Sequence, residues 1–383
     1  MTARSGLIQS YINTTPDRRM VTDRILMIEP YEIATYSALG TDVGKFNMTN
    51  RDNYVYEWLQ DTFNPVTDTV DSGLSSSSTT TTFTPTTGAL YQPGDLLKIG
   101  TEYLWVSSVS SGIPTVTRGY NSTTKATHAD SATVTFISRA RIEGDDADDS
   151  PSTEVASAYN YSQIFQRTVN VSRSKEKLAE YGVASWEDYL IDKYMKELMM
   201  LLNKVPFYGK RYVGTSSAAR TAGGFRDFIT DNLTYATSTS ATGGTALALT
   251  RKNIDDTLQN IWDDGGNPDL IICGGWARRK INDFYEGFVQ TNRGETLGGV
   301  QIQQLLHPIS GNTISIMTDR FCPTNELWIL SRENIAFYPF DPFFYERLSK
   351  TGDAIKGEIV GEYGFICRYD KSHGAVLEFS TSA

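Results

Sequence analysis

Two low-complexity segments divide this chain of 383 residues. Residues 72–88 read SGLSSSSTTTTFTPTTG, and residues 143–151 read EGDDADDSP. Neither segment carries enough apolar surface to pack a core, so each is predicted to be a linker. The sequence between them must therefore fold as a body of its own, and the sequence outside them must fold without it.

The sequence between the linkers predicts a small all-β domain. Short runs with alternating apolar residues lie at 96–99, 103–109, 115–118 and 133–137, and turn residues such as Gly100 and Gly119 separate them. We place this domain within residues 72–151, with its core at 89–138. A core of about 50 residues is marginal by itself, so we expect support from a neighbouring body.

The strongest helix signal follows the second linker. Ser185 is a suitable N-cap and Asp188 lies three residues later, as in a capping box. One helical face then carries a regular apolar stripe made of Trp186, Leu190, Tyr194, Leu198, Leu201 and Leu202. We predict a helix over 185–204, about 30 Å long, that ends before Pro206.

Residues 250–330 have an α/β pattern. One predicted helix presents Ile254, Leu258, Ile261 and Trp262, and another presents Ile281, Phe284, Tyr285 and Phe288. Strands are predicted at 269–273, 300–306, 313–318 and 326–330, whereas the polar, Gly-rich residues 290–299 are predicted to form a loop. The pattern indicates a sheet with helices packed on its faces.

Composition argues against several classes of protein. The net charge is −10, so broad binding to nucleic acid backbones is not expected. No apolar run approaches the length of a membrane span, and the N-terminus lacks a secretory signal core. The three cysteines, Cys273, Cys322 and Cys367, lie far apart and predict buried free thiols. Residues 1–44 are polar apart from Ile25 to Ile28, and they predict an extended arm with a short helix around Tyr31 to Leu39. Such an arm has too little apolar surface for a core of its own, so it either lies on another surface or is a frayed tail.

No catalytic motif is present, and we expect neither a metal nor another cofactor. His128, His307 and His373 lie in three separate segments without a second plausible metal ligand. The Asp residues of 145–149 lack the spacing of a calcium loop and read as a solvated linker. Asp269 to Gly275 has the strand–glycine–helix order of a phosphate cradle, but a tight turn explains it better.

The C-terminal stretch carries the most specific resemblance. It includes TDRFCP and ELWIL, then PFFYERLSKTGDAIKGEIVGEYGF and SHGAVLEF. This stretch resembles the closing segment of major capsid proteins of tailed bacteriophages that have the Hong Kong 97-type fold. The ARTAGGF stretch at 219–225 is also similar to that family, though less specifically. The resemblance implies an α+β fold with an N-terminal arm, an extended loop, a peripheral domain with a long spine helix, and an axial domain, to which this chain adds a small all-β insertion.

Applied to this sequence, the resemblance predicts six segments: an N-terminal arm at 1–44, extended-loop strands at 45–71 and 152–171, the inserted region at 72–151, a peripheral domain at 172–212, an axial domain at 213–335, and a returning β-pair of the peripheral domain at 336–383. Residues that we expect to contact neighbouring subunits are Tyr54, Trp58, Tyr161, Phe165 and Arg293.

The resemblance implies a structural protein and no enzyme. Copies of the chain would form pentamers and hexamers in an icosahedral shell around double-stranded DNA, with only weak, non-specific DNA contact. A portal protein, a separate scaffold protein and a decoration protein would be its partners, and it would be made in the host bacterial cytoplasm and reside in the virion capsid. Two other functions remain open: a tail or surface protein that binds carbohydrate through Tyr103 and Trp105 of the inserted domain, and a hydrolase-like enzyme using the Gly274-Gly275 turn.

Overall fold

A computed structural model describes residues 31–41, 53–74, 81–141, 143–144, 154–178, 183–285, 289–297, 300–306, 308–350 and 352–382. Its α-helices, in chain order, are α1 Ala34–Leu39, α2 Arg173–Lys177, α3 Trp186–Tyr208, α4 Phe225–Phe228, α5 Arg251–Asp263 and α6 Gly275–Phe284. Its strands are β1 Val55–Gln60, β2 Thr67–Thr69, β3 Asp95–Ile99, β4 Glu102–Ser110, β5 Ile113–Arg118, β6 Thr133–Arg139, β7 Ala156–Tyr161, β8 Gln163–Ser172, β9 Leu233–Tyr235, β10 Leu270–Cys273, β11 Val289–Leu297, β12 Val300–Leu306, β13 Thr313–Thr318, β14 Glu326–Leu330, β15 Ile335–Arg347, β16 Ala354–Cys367 and β17 Gly374–Leu377.

The chain forms two compact units. The first comprises Met1–Trp58 and Ala158–Ala383, and the second comprises Leu59–Ser157. The second unit therefore begins and ends further out than the predicted region at 72–151. Strands β1 and β7 pair in a two-stranded sheet where the chain passes from one unit to the other.

The second unit contains a five-stranded antiparallel sheet in the order β2-β6-β3-β4-β5. Alternate residues of its strands, such as Leu97, Leu104 and Val134, are fully buried. The predicted linker at 72–88 is partly wrong, because Leu74 and Phe83 belong to this core. Both side chains are buried in one cluster with the apolar residues of the sheet, so these two positions are part of the folded domain.

The first unit contains a three-stranded antiparallel sheet in the order β15-β16-β8. Helix α3 packs on this sheet, with Leu198 and Leu202 fully buried against Phe165, Val169 and Phe365. The stripe that predicted α3 is only partly internal, because Trp186, Leu190 and Tyr194 are half-buried and Leu201 is exposed.

Both ends of α3 test the local sequence rules. The Ser185 hydroxyl accepts a hydrogen bond from the Asp188 N–H, as the predicted cap requires. The predicted end before Pro206 is wrong, because the helix continues through that proline to Tyr208. A proline lacks the N–H that would bond four residues back, yet Val205 and Phe207 are buried in the core and the Gly209 N–H closes the last turn on the Val205 carbonyl at 2.7 Å.

A seven-stranded mixed sheet forms the rest of the first unit, in the order β11-β12-β13-β10-β14-β17-β9. Helix α5 buries Ile254, Leu258 and Ile261 as predicted, but Trp262 is half exposed. The predicted loop at 290–299 is wrong, because Val289–Leu297 forms the edge strand β11. An edge strand has one partner and needs little apolar pattern, which explains why this sequence read as a loop.

Two further segments differ from their predictions. Residues 152–171 were predicted as one extended strand, but they form β7 and β8 in two different sheets, with a break at Ser162. Residues 374–377 were grouped with the returning β-pair, but β17 pairs with β14 and β9 in the seven-stranded sheet. The fully apolar run of β17 is typical of a central strand buried on both faces.

Candidate functional site

The five predicted contact residues lie in different environments. Tyr54 is 44% exposed and Tyr161 is half-buried at the surface. Trp58 is buried against Phe228, with ring centroids 5.5 Å apart, and Phe165 is buried beside Phe343. Trp58 and Phe165 therefore belong to the subunit's own core. Arg293 lies on edge strand β11, and its side chain is outside the described residues.

Further tyrosines form an exposed surface around Tyr54 and Tyr161, the two predicted contact residues that lie at the surface. The rings of Tyr54 and Tyr161 stack at 6.5 Å, and the ring of Tyr159 meets Tyr161 edge-on at 5.7 Å. Tyr212 and Val213 lie close by, since Val213 and Tyr54 line the same open groove. We call Tyr54, Tyr159, Tyr161, Tyr212 and Val213 the tyrosine surface; Tyr159 and Tyr212 are 40% and 45% exposed.

Two arginines hold the tyrosine surface in place. The Arg220 guanidinium lies 4.8 Å from the Tyr54 ring centroid, and its Nε donates to the Ser162 carbonyl at 3.0 Å. Arg220 also pairs with Glu362. The Arg211 guanidinium lies 4.6 Å from the Tyr159 ring centroid and donates to the Tyr159 carbonyl at 2.8 Å. These contacts restrict the rings within the single subunit, and a restricted side chain loses less entropy when it binds.

A buried asparagine anchors strand β7 beneath this surface. Asn160 is fully buried, and its amide donates to the carbonyls of Phe365 at 2.6 Å and Gly223 at 3.2 Å. Its side-chain oxygen accepts from the N–H groups of Gly223 at 2.9 Å and Tyr161 at 2.8 Å. Gly223 belongs to the ARTAGGF stretch, so Asn160 connects β7 both to this stretch and to β16. A single Asn in a predicted strand gave no sequence signal for this role.

An open groove runs between β8 and α3. One section, of about 540 Å³, is lined by residues that include Ile164, Gln166, Leu201, Lys204 and Tyr208. A second section, of about 350 Å³, shares Leu201 and Lys204 and adds Arg167, Glu197, Met200, Arg320 and Phe321. We call the two sections together the α3 groove. Ile164, Leu201 and Tyr208 are 54%, 40% and 63% exposed, so apolar surface is open to solvent along its length.

A buried carboxylate connects three distant segments. Asp319 follows β13 and is fully buried. Its Oδ2 accepts from the Thr35 N–H at 3.1 Å, the Thr35 hydroxyl at 2.6 Å and the Asn203 amide at 2.8 Å, while Oδ1 accepts from the Phe321 N–H at 2.8 Å. The Asn203 oxygen in turn accepts from the Tyr36 N–H at 2.7 Å. This network joins α1, α3 and the end of β13, and no sequence motif indicated it.

The titratable groups of the first unit are placed for packing. All three cysteines are buried, and burial raises the pKa of the Cys273 thiol to about 12. His373 is fully buried, and burial lowers its pKa to about 4. Its Nδ1 accepts from the Ser331 N–H at 3.1 Å and its Nε2 lies 3.1 Å from the Arg368 carbonyl, as in a neutral imidazole. Such groups hold the core together and are not exposed to a substrate.

The second unit contains a buried ionic cluster. Glu102 accepts from Arg118 at 2.6 and 2.9 Å, from the Ala126 N–H at 3.0 Å and from His128 Nε2 at 2.9 Å. Burial by itself raises the pKa of Glu102, but the hydrogen bonds from Arg118, Ala126 and His128 lower it to about 2. His128 is therefore a core residue of the second unit. His307 is outside the described residues.

The residues predicted for carbohydrate binding and for hydrolysis give little support to either function. Trp105 is half-buried and one of its faces is covered by the Tyr120 ring, stacked at 5.6 Å, while Lys98 lies near the Tyr103 ring. The Gly274-Gly275 turn does begin helix α6, directly after the buried Cys273.

Among the described residues there is no group of three His, Cys, Asp or Glu side chains that could hold a metal. Within the same residues, no helix has the length and apolar character of a membrane span. The acidic residues at 145–149 are outside the described residues.

Comparisons with known proteins agree with the resemblance in the sequence. The model of the SU10 major capsid protein family matches residues 8–380. The capsid structure of cyanophage A-1(L) is similar, with a TM-score of 0.53, 12% identity, and coverage of 97% of this chain and 99% of the other. The capsid structure of Myoviridae phage XM1 has a TM-score of 0.50, 9% identity, and coverage of 98% and 100%. A search of curated proteins finds no match.

The family match covers nearly the whole chain, and the solved structures share its fold over nearly their full length. The predicted Hong Kong 97-type fold is confirmed by these comparisons. The chain therefore belongs to the SU10 major capsid protein family and is a major capsid protein of a tailed phage.

Proposed function

We propose that copies of this chain build an icosahedral shell around double-stranded DNA, and that the tyrosine surface forms one contact between neighbouring copies. The supporting observation is the group of exposed, preordered tyrosines held by Arg211 and Arg220. Tyrosine and arginine are enriched among residues that dominate binding energy at protein interfaces. Tyr54 and Tyr161 keep their proposed role, and Arg293 on edge strand β11 keeps it as well. Tyr159 and Tyr212 replace the internal residues Trp58 and Phe165.

The same proposal gives the second unit a role in the shell. We propose that β1 and β7 belong to an extended loop and that Leu59–Ser157 is a β-domain inserted in it. The arrangement is supported by β1 and β7, which lie on either side of that unit in sequence and pair with each other. The domains would then follow the order predicted from the sequence, except that β17 belongs to the seven-stranded sheet of the proposed axial domain. The second unit would reinforce the shell through contact with a neighbouring subunit.

Partners and setting follow from this role. We propose a portal protein, a separate scaffold protein and a decoration protein as partners, only weak and non-specific contact with DNA, and synthesis in the host cytoplasm. The net charge of −10 supports weak DNA contact, because affinity for DNA backbones depends on neutralising phosphates. The role is structural and requires no catalysis.

The test compares matched tyrosine variants. Tyr54→Ala combined with Tyr159→Ala removes both rings that contact Tyr161, and Tyr369→Ala is the control, because Tyr369 lies in the same unit and is 38% exposed, close to the 40% of Tyr159. We expect the double variant to stay folded and to fail to form particles in electron micrographs, whereas Tyr369→Ala assembles. Normal particles from a folded double variant would remove the tyrosine surface from the assembly contacts.

A further inference from the structure

The α3 groove is an apolar surface that the described part of the chain leaves open. Its lining includes Leu201 and Tyr208 of α3 and Ile164 of β8. Strand β8 is an edge strand of the three-stranded sheet, so its outer side has backbone groups available to a further extended segment. Apolar side chains beside an open strand edge are typical of surfaces that bind an extended peptide.

The described chain begins next to this groove. The charges of Lys196 and Asp192, both on α3, act on the Tyr31 hydroxyl, which places Tyr31 beside that helix. Glu32 pairs with Arg320, and Arg320 lines the groove. The hydrogen bonds from Thr35 to Asp319 and from Tyr36 to Asn203 hold the following residues in place. Tyr31 and Glu32 therefore lie at the rim of the groove.

The residues immediately before Tyr31 have the right composition to enter it. Ile25, Leu26, Met27 and Ile28 form the one apolar run of residues 1–44, and Glu29-Pro30 follows. Proline disfavours a helical residue before it, so an extended approach is favoured. An extended chain spans at most about 3.4 Å per residue, so Ile28 reaches up to ~10 Å from Tyr31 and Ile25 up to ~20 Å. Along α3, the rise from Lys196 is about 7.5 Å to Leu201 and about 18 Å to Tyr208.

We propose that the α3 groove is the docking site for the apolar run at 25–28 of the same chain. The run covers Leu201 and the neighbouring apolar side chains, and its backbone lies alongside the open edge of β8. The contact lies within a single subunit and is separate from the assembly contact proposed above. It gives the N-terminal arm the surface on which it lies.

Disulfide trapping in dissociated subunits tests the proposal. Ile28→Cys is combined in turn with Met200→Cys, Leu201→Cys or Lys204→Cys, since a disulfide requires closely placed partners. The native cysteines are buried, so they do not compete in the folded protein. The control pair is Ile28→Cys with Leu247→Cys, because Leu247 is 50% exposed and does not line the groove.

We expect a disulfide within one chain, seen as a monomer on a non-reducing gel and as a linked peptide by mass spectrometry, several-fold above the control. Disulfide-linked dimers would overturn the proposal, because the groove would then bind the run of another copy. Cross-linking no greater than the control for all three pairs would also overturn it. Trypsin cleavage after Arg24 provides a second readout, and Leu201→Glu should accelerate it several-fold. Because both measurements use dissociated subunits, their failure would leave the proposed shell assembly untouched.

Discussion

The buried Asp319 network offers the sharpest stability test. Asp319→Ala removes four accepted hydrogen bonds at a fully buried position. The Thr35 hydroxyl can rotate to another acceptor, but the N–H groups of Thr35 and Phe321 and the Asn203 amide lose their acceptor. Each buried donor left unpaired costs about 1–3 kcal/mol, and partial relaxation reduces the sum. We therefore expect a loss of ~3–5 kcal/mol in the free energy of unfolding.

Asp319→Asn refines the same test, because it keeps the shape of the side chain. With its oxygen placed toward Thr35 and Asn203, its amide group faces the Phe321 N–H, so two donors oppose each other. We expect a smaller loss of about 1–3 kcal/mol. Urea denaturation measures both variants, and Asp256→Ala is the control, since Asp256 is a half-exposed partner of Lys252 on α5. An Asp319→Ala variant within about 0.5 kcal/mol of the parent would show that the network does not hold the three segments together.

Further predictions concern pH, the core and the second unit. The pKa of His373 is about 4 in the folded protein and 6.5 in the unfolded chain. The stability that the neutral imidazole contributes is therefore complete above pH 6.5, and the free energy of unfolding should fall by ~3 kcal/mol in total as the pH drops toward 4. Urea midpoints measured against pH should show this loss, and His373→Gln should flatten the curve. Leu198→Ala should cost ~2–5 kcal/mol because Leu198 is fully buried, while Lys193→Ala at an exposed position of the same helix should cost little; equal losses would contradict the assigned faces of α3. Replacing residues 61–155 by a short turn should leave a first unit that unfolds cooperatively, because β1 and β7 already pair; an aggregated product would contradict the division into two units.

Local rules predicted the elements that depend on local patterns. Ser185 and the alternating residues of β3 to β6 carry their signal in a few neighbouring positions, and those elements formed close to their predicted limits. The turn at Gly119, in the left-handed region at φ 64°, is one such position. The predictions that failed concern features without a local sequence signal. Edge strand β11 has no apolar pattern to find, and the last turn of α3 passes through Pro206 because its neighbours are buried.

The candidate site was predictable only in part, because exposure depends on packing across long sequence separations. Tyr54 and Trp58 lie in one strand-like run and look alike in the sequence, yet Phe228 covers Trp58 and leaves Tyr54 outside. Asn160 and Asp319 gave no signal, because their partners Gly223 and Thr35 are 63 and 284 residues away. The family resemblance, in contrast, rested on the long C-terminal stretch and was confirmed by the family match.

Electron microscopy of the purified chain, expressed alone and with the scaffold protein proposed above, tests the central claim most directly. We expect closed, uniform particles of icosahedral outline in at least one of the two preparations, with pentamers or hexamers as the smaller species. A chain that remains a folded monomer or a small fixed oligomer in both preparations would contradict the proposed shell assembly.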